Sequence, residues 1–448
     1  MSKAKLLHFL ICGLIISYWF NLTILETRIF GGINEFRLYD FLGLPLIFVT
    51  YSTYSLKSLF RIDLVYKKLY WFIIWCSITA TFTITYSVIL QAFTNVGSTI
   101  IFLYHFWVFF LAGLLILVAE RERKLIYIQI FIFMAFVQTI IIWLQVGGVI
   151  GHLIKYYYLE DMYTGMVGPN RIVPGMMCNI GGTLSLFILI SPGLRKSLKF
   201  PVKIFAVLNV LLWIPTLIMT TSRTSMVFFA VMIFIWIILF ARKFLPILIF
   251  SIPLFIILFQ NIGENQKQRI ERTIEYNKTK YQQAQANDPD GLMDYYYTMG
   301  NNRYQIMMRT IAYMAHNPYL FITGQGFNNK INNSRNFRAL VPHNMYLNML
   351  LEGGIISFVL YFGWLGAYVK YFYSLSRLKE LKIAAGLFFS FLIAMLVSLF
   401  GGEHLYVYRS HYAIMGAFLA VMSMAGSSLD LLVDNNKDEC SEEESFGE

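Results

Sequence analysis

Apolar stretches of span length recur along the whole chain, separated by short polar or basic segments. They lie at about 6–25, 38–56, 69–92, 96–119, 125–150, 172–191, 204–221, 224–241, 244–262, 345–369, 383–400 and 411–426. Each can carry a helix across a hydrocarbon layer of roughly 30 Å, for which about 20 residues are needed. The pattern predicts an all-α polytopic membrane protein with about 12 transmembrane helices. The first stretch, Leu6 to Leu25, has no small-residue cleavage site and leads into further spans, so it reads as an anchor and not as a cleavable signal.

Two polar segments are too long for simple turns, one at about 151–171 and a much larger one at 263–342. Long loops inside compact proteins are usually functional. In the larger loop Ile270, Ile274 and Tyr281 share one face of a polar helix. Tyr304, Met307, Met308, Ile311 and Ala315 mark a second amphipathic helix, stopped at Asn317-Pro318. A folded helical cap lying on the outer membrane face is therefore expected. The chain divides into a bundle at 1–262, the large periplasmic loop at 263–342, a second bundle segment at 343–426 and an acidic tail at 427–448. The tail's eight acidic residues against one Lys predict disorder.

Composition supports this reading, because 57% apolar and 14% charged residues exclude an ordinary soluble enzyme. The net charge of +11 has a topological explanation. With the N-terminus in the cytoplasm, 19 Lys and Arg fall in inner loops, while the short outer loops hold only Arg28, Arg37, Lys155, Arg171, Arg223 and Arg409. That asymmetry places both termini in the cytoplasm. Nucleic acid is not needed to explain the charge. The four cysteines, Cys12, Cys76, Cys178 and Cys440, have neither zinc-site spacing nor a disulfide pattern. No internal repeat stands out, which weighs against an inverted-repeat transporter.

The candidate chemistry gathers at outer boundaries. Arg223 sits between two apolar runs in Met219-Thr220-Thr221-Ser222-Arg223-Thr224-Ser225. It is either an interfacial arginine snorkelling to water or an anion clamp, since a guanidinium suits phosphate oxygens and keeps its charge. A second constellation runs from Asn302-Arg303-Tyr304 through Asn317-Pro318 and Gly324-Gln325-Gly326 to His343-Asn344 and Glu352-Gly353-Gly354. His343 stands where the loop re-enters the membrane. Glu352, lower in the same span, is placed to orient His343 or to pair with an arginine. Arg171 follows Gly168-Pro169-Asn170, and ten residues separate it from Gly182. Glu403-His404 with Arg409 and His411 forms a further polar cluster. The triplets Tyr156-Tyr157-Tyr158 and Tyr295-Tyr296-Tyr297 read as interface belt or sugar-stacking surface. No metal-ligand motif is present, and no cofactor is implied.

In this order and topology, Ser222-Arg223 opening a span, Arg303 opening a loop helix, the Pro318 and Gly324-Gln325-Gly326 turn, and His343-Asn344 with Gly354 resemble the O-antigen ligase and polymerase superfamily of bacterial membrane glycosyltransferases. The similarity covers roughly 165–365. It implies a donor glycan on undecaprenyl diphosphate, presented at the periplasmic face of the inner membrane, and metal-independent, inverting transfer. His343 would serve as base and Arg223 and Arg303 as stabilisers of the leaving diphosphate, with Arg171, Asn344, Ser222 and Glu352 contacting substrate. Within the family the Arg171 to Gly182 spacing favours a polymerase over a ligase that transfers the glycan to lipid A-core. The implied partners are the lipid-linked glycan, the bilayer and, for a polymerase, a chain-length regulator. A flippase for lipid-linked oligosaccharide is the rival from another class. It would line a pathway with deep charges, whereas here the polar groups collect at one face.

Overall fold

A computed structural model describes residues 2–21, 23–29, 32–54, 64–91, 93–151, 153, 163–168, 172–220, 222–244, 303–328, 344–400 and 412–445. Helix α1 spans Lys3–Trp19 and is followed by an antiparallel hairpin, β1 Thr23–Ile29 and β2 Gly32–Arg37. The helices α2 Leu38–Thr53, α3 Leu64–Ile89, α4 Phe93–Val118, α5 Arg121–Val146 and α6 Ile172–Ile190 come next. A short α7 Pro192–Ser197 leads to α8 Phe200–Met219 and α9 Arg223–Leu239, which ends in a 3-10 turn at Arg242–Phe244. The loop helices α10 Arg303–His316 and α11 Leu320–Thr323 precede α12 Met345–Ser376, α13 Lys382–Ser398 and α14 Tyr412–Ser445.

The protein is an all-α polytopic membrane protein, with the hairpin as its one β element among the described residues. Every predicted apolar stretch coincides with a described helix except the ninth, which lies beyond Phe244 outside the described residues. Seven helices are long and apolar enough to cross a membrane alone, and α2, α9 and α13 are shorter apolar helices. The connection after α1 is a β hairpin, and the acidic tail, expected to be disordered, continues α14 as helix to Ser445. A nucleated helix gains a hydrogen bond for each further residue it fixes, so it propagates past the apolar span.

Helix α14 is the post of the bundle. All of Tyr412–Leu429 is buried, against α1, α4 and α6. Without a hydrophobic force between helices in lipid, packing and polar contacts hold them together, and small residues allow that approach. Ala413, Gly416, Ala417, Ala420, Ser423 and Ala425 supply the small residues, and the Ser423 hydroxyl lies 2.5 Å from that of Tyr66 on α3.

Two contacts orient the helices that carry the site. The Trp236 indole donates to the Ile383 carbonyl at 2.9 Å, and the Phe228 and Phe391 rings stack edge-on at 5.0 Å, so α9 and α13 are antiparallel. The Met345 amide donates to the Leu399 carbonyl at 3.0 Å, pairing the start of α12 with the end of α13. The starts of α9 and α12 therefore share one end of the bundle. The basic groups Arg195, Lys196, Arg242, Lys243, Arg377 and Lys379 follow the other ends of these helices and of α6.

Candidate functional site

Helix α9 begins at Ser222, whose extended backbone and side chain form the N-cap. Its Oγ accepts from the Ser225 amide at 3.4 Å and lies 2.7 Å from the Ser225 hydroxyl. Ser222 is buried, so its hydroxyl serves the helix start and not an open surface. Arg223 follows as the first helical residue with an exposed side chain, and has no ion-pair or hydrogen-bond partner among the described residues. The helix dipole makes this an unfavourable place for a cation, at a cost of about 0.3–1 kcal/mol. The helix gains nothing from Arg223. An anion at this spot would meet both the guanidinium and the free amides of the first turn.

Helix α6 buttresses that start. Asn179 Nδ2 donates to the Ser225 carbonyl at 2.9 Å, and the Trp213 indole donates to Asn179 Oδ1 at 3.0 Å. Gly182 lies flat on the Trp213 ring, and a Cβ there would collide with it. The glycine of the Arg171 to Gly182 spacing thus has a packing reason of its own. Arg171, one residue before α6, lies outside the described residues.

At the start of α12, Asn344 is the N-cap. Its Oδ1 accepts from the Leu347 amide at 3.1 Å, and its Nδ2 donates to the Phe400 carbonyl at 3.3 Å. It is buried, and its side-chain oxygen and nitrogen both serve the start of α12. The preceding residue, His343, lies outside the described residues. Adjacent packed helices sit about 8–10 Å apart, so with α13 between them the starts of α9 and α12 are separated by up to roughly 16–20 Å.

Glu352 lies lower in the same span, as its sequence position implies. It lies eight residues below Asn344, about 12 Å along the helix at 1.5 Å per residue. It is buried and within electrostatic reach of Cys76 on α3. Its backbone carbonyl accepts from the Gly326 amide at 3.0 Å.

That backbone bond belongs to a larger junction. Helix α12 breaks at Gly354, where φ is 66° and ψ is −165°. The carbonyls around the break find partners elsewhere: Leu351 accepts from the Gln325 amide at 2.8 Å, Glu352 from Gly326, and Gly353 from the Trp75 indole at 2.9 Å. Gly324, at φ 68°, presses against the Glu352 carbonyl, and a Cβ on Gly354 would strike the Ile322 carbonyl. The Gly324-Gln325-Gly326 turn is thus the complement of the Gly354 break. Thr83 donates to the Phe327 carbonyl at 2.8 Å, and Asn328 to the Ser98 and Thr99 hydroxyls at 3.2 Å each.

Arg303 opens α10 as expected, and the helix ends at His316, just before Asn317-Pro318. The side chain of Arg303 lies outside the described part. The buried face differs from the one read in sequence: Ile306, Thr310 and Met314 point inward, while Met308 and Ile311 are exposed. Tyr304 and the loop helix expected around Ile270, Ile274 and Tyr281 are outside the described side chains, as are both tyrosine triplets and the Glu403-His404 cluster.

Sequence reasoning missed one ionisable cluster. Asp40 at the top of α2 bonds to His105 Nε2 in the middle of α4, and its Oδ2 accepts from the Arg37 amide at 2.6 Å. Tyr104 donates to the Asp40 carbonyl at 2.6 Å, and Arg37 Nη1 to the Tyr39 hydroxyl at 3.0 Å. A histidine inside an apolar run was the available signal, since ionisable residues in spans are rare and paired. The cluster pins the hairpin and α2 to α4. Among the described residues no group of three or more His, Cys, Asp or Glu is arranged to hold a metal.

Residues 208–362 match the family described as O-antigen ligase. This match supports the resemblance to the O-antigen ligase and polymerase superfamily. The match covers about a third of its length and takes in α9, α10, α11 and the first half of α12, including Ser222-Arg223, Arg303, His343-Asn344 and the Gly354 break. Members of this O-antigen ligase family are glycosyltransferase-like enzymes. No curated protein matches the chain.

Proposed function

We propose that the protein polymerises undecaprenyl-diphosphate-linked oligosaccharide repeat units by glycosyl transfer at the periplasmic face of the bacterial inner membrane. The observation that carries this reading is Arg223: an exposed guanidinium without a partner among the described residues, at the electrostatically unfavourable end of α9 and at the same end of the bundle as the Asn344 cap of α12. The basic segments follow the opposite end, which under the positive-inside rule is cytoplasmic.

An acceptor sugar hydroxyl attacks the anomeric carbon of the donor glycan, and the bond from that carbon to the diphosphate oxygen breaks. Undecaprenyl diphosphate leaves with the electron pair. His343 takes the hydroxyl proton, a role suited to a group with an ordinary pKa near 6.5. Arg223 and Arg303 stabilise the charge that develops on the leaving group, and Arg171 is a further candidate for it. A single displacement inverts the anomeric centre. A chain-length regulator is the protein partner this reading implies.

The ligase reading, transfer to lipid A-core, is favoured by the description of the matching family. Gene deletion separates the two: loss of a polymerase leaves single repeats capping the core, and loss of a ligase leaves polymer on the lipid carrier. The enzymatic reading is tested with His343→Ala and Arg303→Ala, which should abolish polymer while the protein still inserts. Normal polymer in both variants would overturn it.

A further inference from the structure

The segment from Tyr319 to Phe327 belongs to a loop that sequence places outside the membrane, yet it docks against the interior lengths of two spans. Its amides reach Leu351 and Glu352 of α12, and its Phe327 carbonyl reaches Thr83 of α3. Depth can be measured on both helices from their basic ends. On α12, Gly354 lies nine residues from Gly363, whose carbonyl accepts from Lys68 Nζ, and sixteen from Lys370, giving about 14 to 24 Å at 1.5 Å per residue. On α3, Thr79 and Thr83 lie eleven and fifteen residues above Lys68, about 16 to 22 Å. Both rulers place the turn inside a hydrocarbon core of roughly 30 Å.

We infer that α11 and the Gly324-Gln325-Gly326 turn form a re-entrant element in the outer leaflet, whose free face meets lipid acyl chains. Non-helical backbone survives at membrane depth only where protein satisfies it. The polar side of this turn meets that condition, through the α12 carbonyls, Thr83, Ser98 and Thr99. Its other side carries Phe321 and Ile322, exposed at 42% and 62%. Ile322 abuts Gly354, and the exposed strip runs on through Ile355, Ile356 and Val359 of α12. The apolar face is therefore continuous with that of a membrane span. The outward-facing Met308 and Ile311 of α10 accord with the same surroundings. This placement does not depend on the reaction proposed above.

The test uses the full-length protein in phospholipid nanodiscs, with the four native cysteines replaced by alanine and a nitroxide attached at Ile322→Cys or Phe321→Cys. Both sites should favour collisions with oxygen over a water-soluble nickel chelate, as at Phe82→Cys, exposed on the middle of α3, and opposite to Lys199→Cys in a basic loop. Preferential quenching by the chelate would place α11 in water. Protection from both reagents would mean that protein covers the face, and either result overturns the inference. Where the cysteine-free background does not fold, wild-type protein is photolabelled with a diazirine phospholipid. Label on the peptide containing Phe321 and Ile322 is expected, and spans labelled without that peptide would also overturn it.

Discussion

The Gln325 amide donates to the carbonyl of Leu351 at 2.8 Å, linking a turn in the large loop to the one place where α12 stops being helical. The break at Gly354 releases carbonyls of α12 that the turn's amides cover.

Gly354→Ala and Gly324→Ala should therefore each lower thermal stability sharply. A side chain at either collides with backbone, and a positive φ adds strain of about 1–3 kcal/mol for a non-glycine residue. Thermal unfolding of the purified protein checks this. A midpoint equal to wild type in both variants would contradict the interlock.

Ser222 and Arg223 should separate stability from activity. Removing the Ser222 cap by Ser222→Ala should cost about 0.5–2 kcal/mol of stability while much of the turnover survives in the folded fraction. Arg223→Ala should leave stability unchanged or raise it by about 0.3–1 kcal/mol, because a cation leaves the positive end of α9. Its transfer activity should fall to background. A melting curve and a product gel on the same preparations decide it, and an active Arg223→Ala would remove the anion role.

Gly182→Ala and Arg171→Ala distinguish packing from chemistry in the smaller outer region. The glycine variant should melt early because Trp213 is displaced and its bond to Asn179 is lost. Arg171→Ala should keep the wild-type melting point and lose polymer. The reverse pattern would show that the spacing between them is not a shared functional motif.

Asp40→Asn and His105→Leu should each destabilise the fold, since leaving a buried hydrogen-bonding group without its partner costs about 1–3 kcal/mol. Replacing both should cost less than the two single changes added together. Additive losses would show that the two groups act independently.

The junction also shows why the candidate site was only partly legible. Asn317-Pro318 stops α10 where its residue types say it should, and Ser222 and Asn344 are ordinary capping residues just ahead of apolar runs. Those are local signals. Trp75, by contrast, is an unremarkable aromatic in an apolar stretch until its indole meets Gly353, 278 positions away. The inward face of α10 was misjudged for a related reason: amphipathic reading assumes water on the outside, and Met308 and Ile311 face surroundings that reading does not include.

By itself the sequence determined that this chain crosses a membrane many times and which polar groups stand at the ends of its apolar runs. Those properties follow from the length of apolar run a bilayer demands and from the cost of placing charge in it. Only the tertiary structure decided that Ser222 and Asn344 are caps, that the Glu352 carbonyl meets the Gly326 amide, that Asp40 meets His105, and that part of the large loop packs on α12 at its break. Each depends on which distant group answers a buried polar atom, a choice made by packing among helices whose own sequences look interchangeable.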